Sequence, residues 1–133
     1  MRYLLDTNIL SDLIRNPHGV VAEHIRNVGE TAVCTSIIVA AELRYGATKR
    51  SSQRLTTQVE AVLSALEIVP FETPADETYG RLRSQLEHAG QPIGANDLLI
   101  AAQCVMLRYT IVTNNEREFA RINELAQENW LRE

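Results

Sequence analysis

The chain has 133 residues, of which 45% are hydrophobic and 23% charged, and its formal net charge is −4 at pH 7. This length and composition predict one globular domain over residues 1–133. No apolar run approaches the roughly 20 residues of a membrane helix, and the N-terminus lacks the layout of a signal peptide, which together predict a cytoplasmic protein without a membrane partner. The negative charge excludes a general attraction to nucleic acid, although local arginines could still bind RNA or an acidic partner.

The elements predicted from the sequence alternate between strands and helices. In chain order we expect a strand at residues 3–5, helices at 9–14 and 20–28, a strand at 31–35, helices at 36–49 and 53–66, a strand at 68–71, helices at 73–90 and 95–109, a strand at 110–113 and a short helix at 116–122. Strands that alternate with helices are typical of an α/β fold, here a central parallel sheet flanked by helices in three layers.

Asp6 follows the first predicted strand directly and precedes the first predicted helix. In an open α/β sheet, ligands bind in the crevice beyond the carboxyl ends of the strands, which is where Asp6 would stand. Capping of the helix by Asp6 or Thr7 explains the same position without a functional role.

Glu42 lies within the predicted helix at residues 36–49, which Ser36 would cap. Helical spacing puts it on one stripe with Ile38, Val39 and Tyr45, which we expect to be the apolar side. A carboxylate on that side needs a cation or a donor. A structural ion pair with Arg44 or Arg15 is the alternative to a functional role.

Asp97 lies in the first turn of the strongly apolar helix at residues 95–109. The helix dipole favours an acid in this turn, so a purely structural role stays open. However, Asn96 could cap the helix by itself, and the preceding loop GQPIG would leave Asp97 facing an opening.

Carboxylate oxygens without a histidine nearby predict a hard cation, Mg²⁺ with Mn²⁺ as a substitute. Cys34 and Cys104 lie far apart in apolar segments and are predicted to be buried free thiols. His18, His24 and His88 lack metal-ligand spacing and are predicted to lie on the surface, so a zinc site is not expected. The sequence contains no GxxxxGK[ST], GxGxxG or GxSxG motif, which argues against an ATPase, a dinucleotide enzyme and a serine hydrolase.

Four motifs in order resemble the PIN-domain ribonucleases, and more closely the VapC-type toxins of bacterial toxin–antitoxin pairs. They are LLDTNILSDLI, SIIVAAELRYGA, PIGANDLLIAA and IVTNNEREFARI. The resemblance spans the chain and implies a metal-dependent endoribonuclease, a homodimer, a cognate antitoxin, and contact with operator DNA only through the antitoxin complex. Enteric members similar to this sequence cut the anticodon loop of initiator tRNA, which makes a tRNA the expected substrate.

The resemblance also assigns site residues. Asp6, Glu42 and Asp97 match the acidic triad that holds the metal. Asn115 matches a fourth position that is often aspartate in the family, and Glu118 is near enough in the sequence to compensate for the missing charge. Three polar residues match family residues that orient the acids or the scissile phosphate, namely Thr7, Asn8 and Thr113.

Four basic residues are candidate RNA contacts, namely Arg15, Arg44, Lys49 and Arg50. Each could equally belong to a solvated helix face. Apolar positions near Leu10, Ile14 and the helix at residues 53–66 could accept an antitoxin segment, but core packing explains them as well.

Two other functions stay open at this point. One is a metal-dependent phosphatase or a flap-type DNA nuclease; an aspartyl-phosphate phosphatase would carry a second aspartate where Asn8 stands. The other is a binding module of a complex that represses its own promoter.

Overall fold

A parallel sheet of five short strands lies at the centre of the molecule, and the computed structural model describes residues 1–132. The strands are β1 (Tyr3–Leu5), β2 (Val33–Ser36), β3 (Glu67–Val69), β4 (Thr110–Val112) and β5 (Gln127–Glu128). The helices are α1 (Thr7–Arg15), α2 (Val20–Val28), α3 (Ile37–Arg50), α4 (Gln53–Ser64), α5 (Ala75–His88), α6 (Ala95–Leu107) and α7 (Glu116–Phe119).

The strand order is β3-β2-β1-β4-β5, and every neighbouring pair is parallel. The chain moves outward from β1 to β2 and β3, and then returns to the other side of β1 for β4 and β5. Because parallel crossovers are right-handed, α1 to α4 cover one face of the sheet and α5 to α7 the other. The predicted α/β fold with flanking helices is confirmed.

The core sits between the sheet and these two helical layers. Leu4 and Leu5 in the central strand β1 are fully buried, and so are Ile111 and Val112 in the neighbouring strand β4. A strand covered on both faces consists of consecutive apolar residues, which explains why the short run at residues 3–5 already predicted β1. Both cysteines are buried and free, as the sequence predicted.

Expectations for four strands differ from the structure. The strand expected at residues 68–71 spans Glu67–Val69, since Pro70 has no amide hydrogen to donate to a ladder, and the strand expected at 110–113 ends at Val112. Residues 30–32 form a 3₁₀ helix, so β2 begins at Val33 and not at residue 31. The strand β5 was not predicted; it is held beside β4 by the Ile111 amide, which donates to the Ala126 carbonyl just before β5, and by the Thr113 amide, which donates to the Glu128 carbonyl. A two-residue polar strand lacks the apolar pattern that identifies strands in a sequence.

Two surface expectations were wrong. Tyr45 is 65% exposed and does not lie on the apolar side of α3. His24 is only partly exposed, because its ring stacks on Trp130 with 5.0 Å between ring centroids. His18 and His88 are exposed, as predicted. No helix among residues 1–132 is both long and apolar enough to cross a membrane.

Candidate active site

An open cavity of about 430 Å³ lies beyond the carboxyl ends of β1 and β4. These two strands are neighbours whose crossovers leave in opposite directions, and such a switch point creates a crevice at the strand ends. The cavity is lined by Asp6, Thr7, Asn8, Ser11, Arg15, Glu42, Asp97 and Asn115. The structure therefore brings together the three acids that the sequence singled out in separate segments.

Asp6 is 4% exposed and holds both of its carboxylate oxygens in hydrogen bonds. Oδ1 accepts from the Thr7 amide at 2.8 Å, which caps α1, and Oδ2 accepts from Thr113 Oγ1 at 2.7 Å. Burial raises the pKa of Asp6, while the bonds from Thr113 and Thr7 act in the opposite direction. Asp6 is thus both the helix cap and a wall of the cavity.

Glu42 reaches the cavity from α3, and its Oε1 accepts from Thr7 Oγ1 at 3.2 Å. Burial, and then the charge of Asp6, raise the pKa of Glu42. The alternative ion pair with Arg44 or Arg15 is not formed within residues 1–132, because Arg44 pairs with Glu60 at 2.9 Å and Arg15 has no carboxylate within 4 Å. Glu42 therefore faces Asp6 without a neutralising partner.

Asp97 stands in the first turn of α6, whose cap position is Gly94. Asn96 lies inside the helix, so the expectation that it caps α6 was wrong. Burial, followed by the charges of Asp6, Glu118 and Glu42, raises the pKa of Asp97 to about 6. Burial and the repulsion among these acids therefore move the ionisation of Asp97 from its ordinary range up to about pH 6.

Asn115 turns its amide group toward two carboxylates. Its Nδ2 donates to Asp97 Oδ2 at 3.2 Å and to Glu118 Oε2 at 2.9 Å. The other oxygen of Glu118 accepts from the Gly94 amide at 2.5 Å, and this bond lowers the pKa of Glu118. Asn115 and Glu118 thus connect the loop after β4 to the start of α6.

A second layer of contacts, which the sequence did not predict, supports this loop. The Asn114 amide donates to Asn8 Oδ1 at 3.1 Å, and Asn129 Nδ2 donates to Asn114 Oδ1 at 3.2 Å. The Asn115 amide donates to Thr113 Oγ1 at 3.0 Å. Asn129 comes from the C-terminal tail beyond β5, and no local signal in the sequence relates it to residues 113–115.

The donor set suits a hard divalent cation, since it consists of carboxylates and amides. Within residues 1–132, no three acidic, histidine or cysteine side chains lie close enough to enclose a metal ion as they stand. Mg²⁺ does not require such a cage, because it is held by one or two carboxylates, keeps several waters and completes its shell with substrate phosphate. Asp6, Glu42 and Asp97 line one cavity, and none of them forms an ion pair within residues 1–132. A divalent cation would relieve their repulsion, so the residues fit the ion.

The four candidate RNA contacts occupy different surroundings. Arg15 lines the acidic cavity, and Arg50 lines the cavity next to it. Arg44 is bound to Glu60, while Lys49 lies over the exposed Tyr45 ring, 5.9 Å from its centroid. Neither Arg44 nor Lys49 borders these cavities.

Comparisons with known proteins agree with this arrangement. The model of the PIN domain matches residues 3–125. Ribonuclease VapC2 of Rickettsia felis is 39% identical over 98% of both chains, and the tRNA(fMet)-specific endonuclease VapC of Shigella flexneri is 33% identical over 98% of both. The structure of VapBC2 from R. felis bound to a promoter DNA fragment superposes with a TM-score of 0.91 at 38% identity, covering 98% of this chain and 99% of that one. DNA-bound VapBC from Salmonella typhimurium gives 0.88 at 34% identity and 98% of both chains.

Proposed function

The chain belongs to the PIN-domain family and to its VapC-type ribonuclease toxins, and we propose that it hydrolyses phosphodiester bonds of a tRNA with Mg²⁺ at the acidic cavity. The observation that carries this proposal is the meeting of Asp6, Glu42 and Asp97 in one cavity at the β1/β4 switch point. The endonuclease of S. flexneri named for tRNA(fMet) supports a tRNA, and initiator tRNA is the first substrate to test. Mn²⁺ is expected to substitute for Mg²⁺.

Asp6, Asp97 and Glu42 would hold the metal. When bound, it would supply an activated water for attack in line with the leaving oxygen and would stabilise the charge on the phosphoryl oxygens. No histidine is needed as a general base. The expected products carry a 5′-phosphate and a 3′-hydroxyl.

The other side chains prepare these acids. Thr113 and the Thr7 amide hold the Asp6 carboxylate with both oxygens fixed, and Thr7 Oγ1 fixes Glu42 relative to it. Asn115 holds Asp97 beside Glu118, and Asn8 anchors the loop that carries Thr113 and Asn115. Preorganised side chains of this kind lower the cost of reaching the reactive geometry.

The substrate is tested with one buffer and three compounds. Purified protein in Mg²⁺ is expected to cut tRNA at a discrete site, with initiator tRNA cut fastest among purified tRNAs. Single-stranded DNA and a phosphomonoester are expected to stay intact. Hydrolysis of the phosphomonoester, or cutting of DNA in preference to RNA, would instead support a phosphatase or a DNA nuclease.

We further propose a cognate antitoxin as partner, a homodimer and a cytoplasmic location. The related VapBC structures are complexes, two of them with DNA, which also supports promoter binding through the antitoxin. Co-expression with the product of a neighbouring small reading frame should yield a complex that no longer cuts tRNA. A protein that binds Mg²⁺ and this partner but never cleaves RNA would be a binding module.

A further inference from the structure

Three exposed arginines meet where α1, α3 and α4 come together. Arg15 ends α1, Arg50 ends α3, and Arg54 lies in the first turn of α4. They border one open cavity of about 710 Å³. Its lining is completed by polar and apolar residues, namely Ile14, Ser52, Leu55 and Gln58.

This cavity continues into the acidic one. A middle cavity of about 330 Å³ shares Ile14, Arg15, Arg50 and Leu55 with the outer cavity. It also shares Thr7, Ser11, Arg15 and Glu42 with the acidic cavity. The three cavities therefore form one continuous groove, here called the arginine groove, which runs from the carboxylates to the three guanidinium groups.

Ion pairs and favourable helix-dipole contacts do not explain the positions of all three arginines. Five other arginines of residues 1–132 form ion pairs with carboxylates, namely Arg2, Arg44, Arg81, Arg83 and Arg132. None of the groove arginines has a carboxylate within 4 Å in this part of the chain. Arg15 and Arg50 lie in last turns, where the helix dipole favours a cation, but Arg54 lies in a first turn, where the dipole disfavours one.

Building on the proposed ribonuclease function, we infer that Arg15, Arg50 and Arg54 bind backbone phosphates of the RNA strand on one side of the bond that is cut. A protein with net charge −4 and three acids in its cavity repels RNA unless cations lie beside those acids. The planar guanidinium group offers paired donors that match phosphate oxygens. The arginine groove connects these cationic side chains to the acidic cavity, so a strand bound along it would reach the carboxylates.

Arg54 distinguishes this inference from the four RNA contacts suggested by the sequence, because it was not among them. It borders the groove, whereas Arg44 and Lys49 do not. Phosphate contacts do not depend on base sequence. The arginine groove is therefore expected to raise the affinity for RNA and to orient the bound strand, but not to select one tRNA over another.

The test measures RNA affinity and its salt dependence in matched variants. Arg54→Gln and Arg50→Gln are compared with Arg26→Gln, an exposed arginine in the last turn of α2 that borders none of the three cavities. Fluorescence anisotropy with a labelled tRNA in EDTA gives Kd without cleavage, and steady-state cleavage in Mg²⁺ gives KM and kcat. Melting curves check that each variant is folded.

Each groove variant is expected to raise Kd and KM about five- to tenfold at 0.15 M KCl and to leave kcat within about twofold. The slope of log Kd against log[KCl] should fall in magnitude by about 0.7 for each arginine removed. Arg26→Gln should leave all of these quantities unchanged.

Three other outcomes would each contradict a part of this account. Active Arg54→Gln protein with the Kd, KM and salt slope of Arg26→Gln would overturn the inference while leaving the ribonuclease function intact. Unchanged RNA binding together with weaker antitoxin binding would assign the groove to the partner and also overturn it. A wild-type protein that cuts no RNA would contradict the proposed function itself.

Discussion

Single residues in the acidic cavity combine structural and chemical tasks. Asp6 caps α1 and at the same time presents a buried carboxylate whose two oxygens are held by Thr7 and Thr113. Asp97 faces the charges of Asp6, Glu42 and Glu118, which together with burial raise its pKa to about 6. The metal-free site is therefore destabilised by its own carboxylates, and removing one should stabilise the fold.

Asp97→Asn is expected to raise the melting temperature of the metal-free protein at pH 7.5 by about 3 °C, which corresponds to about 1 kcal/mol after screening by solvent and loss of the helix-dipole contact. Because the pKa of Asp97 is higher in the folded state than in the unfolded state, its penalty is absent below pH 4 and grows as the pH rises through 6. Calorimetry in EDTA should therefore show that the difference in melting temperature between wild type and Asp97→Asn vanishes near pH 4. Asp76→Asn, an exposed acid in the first turn of α5, is the control that loses only a helix-dipole contact and should lower the melting temperature slightly. An equal or lower melting temperature of Asp97→Asn at pH 7.5 relative to wild type would contradict this prediction.

Asn115→Asp tests the departure from the family pattern. A carboxylate at this position would face Asp97 and Glu118, where the amide now donates two hydrogen bonds, so the metal-free fold should lose about 2 kcal/mol. The added charge should also tighten Mn²⁺ binding in calorimetric titration. Asn123→Asp, an exposed site, serves as the control, and a variant with unchanged stability and unchanged Mn²⁺ affinity would refute the assigned role of the amide.

Among the elements, helices with local signals were predicted well. Ser36 caps α3 and Ser52 caps α4, and Gly29 follows the last residue of α2, so hydroxyl caps and a glycine mark boundaries that depend on neighbouring residues alone. The 3₁₀ helix at residues 30–32 is held by local bonds from the Ala32 and Val33 amides to the Gly29 and Glu30 carbonyls. The strand β5, by contrast, depends on pairing with the distant strand β4. No window of the sequence contains that information.

Comparing the two serine caps measures what the buried hydrogen bond between Ser36 and Gln103 contributes to stability. Ser36 Oγ accepts from the Ile38 amide and also donates to Gln103 Oε1 at 2.5 Å, whereas Ser52 Oγ accepts only from the Leu55 amide. Ser36→Ala should cost about 2 kcal/mol in urea unfolding, because it removes a cap and leaves a buried amide oxygen without its donor. Ser52→Ala should cost about 1 kcal/mol, and equal losses would show that the contact to Gln103 contributes nothing.

At the scale of the whole molecule, the C-terminal tail packs against the N-terminal elements α2 and β1. Trp130 is 1% exposed, stacks on His24 of α2 and contacts Tyr3 of β1 with 5.3 Å between ring centroids. Asn129 beside it supports the loop at residues 113–115. The match to the PIN domain ends at residue 125, so Asn129 and Trp130 themselves lie beyond the matched residues.

Trp130→Ala is expected to destabilise the protein by about 4 kcal/mol, since it empties a buried aromatic position that joins the tail to β1 and α2. Trp130→Phe keeps most of the buried area and should cost less than half as much. Tyr45→Ala, which removes an exposed ring, should change stability by no more than about 0.5 kcal/mol. If urea unfolding gave the same loss of stability for Trp130→Ala as for Tyr45→Ala, the stabilising role of the tail would be contradicted.

Across the molecule, residue type and chain position together predicted which acids share the cavity. Asp6 ends an apolar strand and Asp97 begins an apolar helix after a glycine-rich loop, and both facts are local. The partners of charged side chains were not predictable in this way: the sequence left open an ion pair of Glu42 with Arg44 or Arg15, but α4 brings Glu60 to Arg44. Side-chain pairing between helices depends on packing geometry that no single segment encodes.

The central claim is that the acidic cavity at the β1/β4 switch point is a metal-dependent ribonuclease site. It is tested most directly by cleavage of one tRNA with wild type, Asp6→Asn, Glu42→Gln and the exposed-acid control Asp76→Asn, each in Mg²⁺, in EDTA and after Mg²⁺ is restored. We expect wild type and Asp76→Asn to cut only with Mg²⁺, and folded Asp6→Asn and Glu42→Gln to lose at least about 100-fold in rate, the loss of roughly 3 kcal/mol of transition-state stabilisation. Full cleavage in EDTA, or wild-type rates in both cavity variants, would contradict the claim.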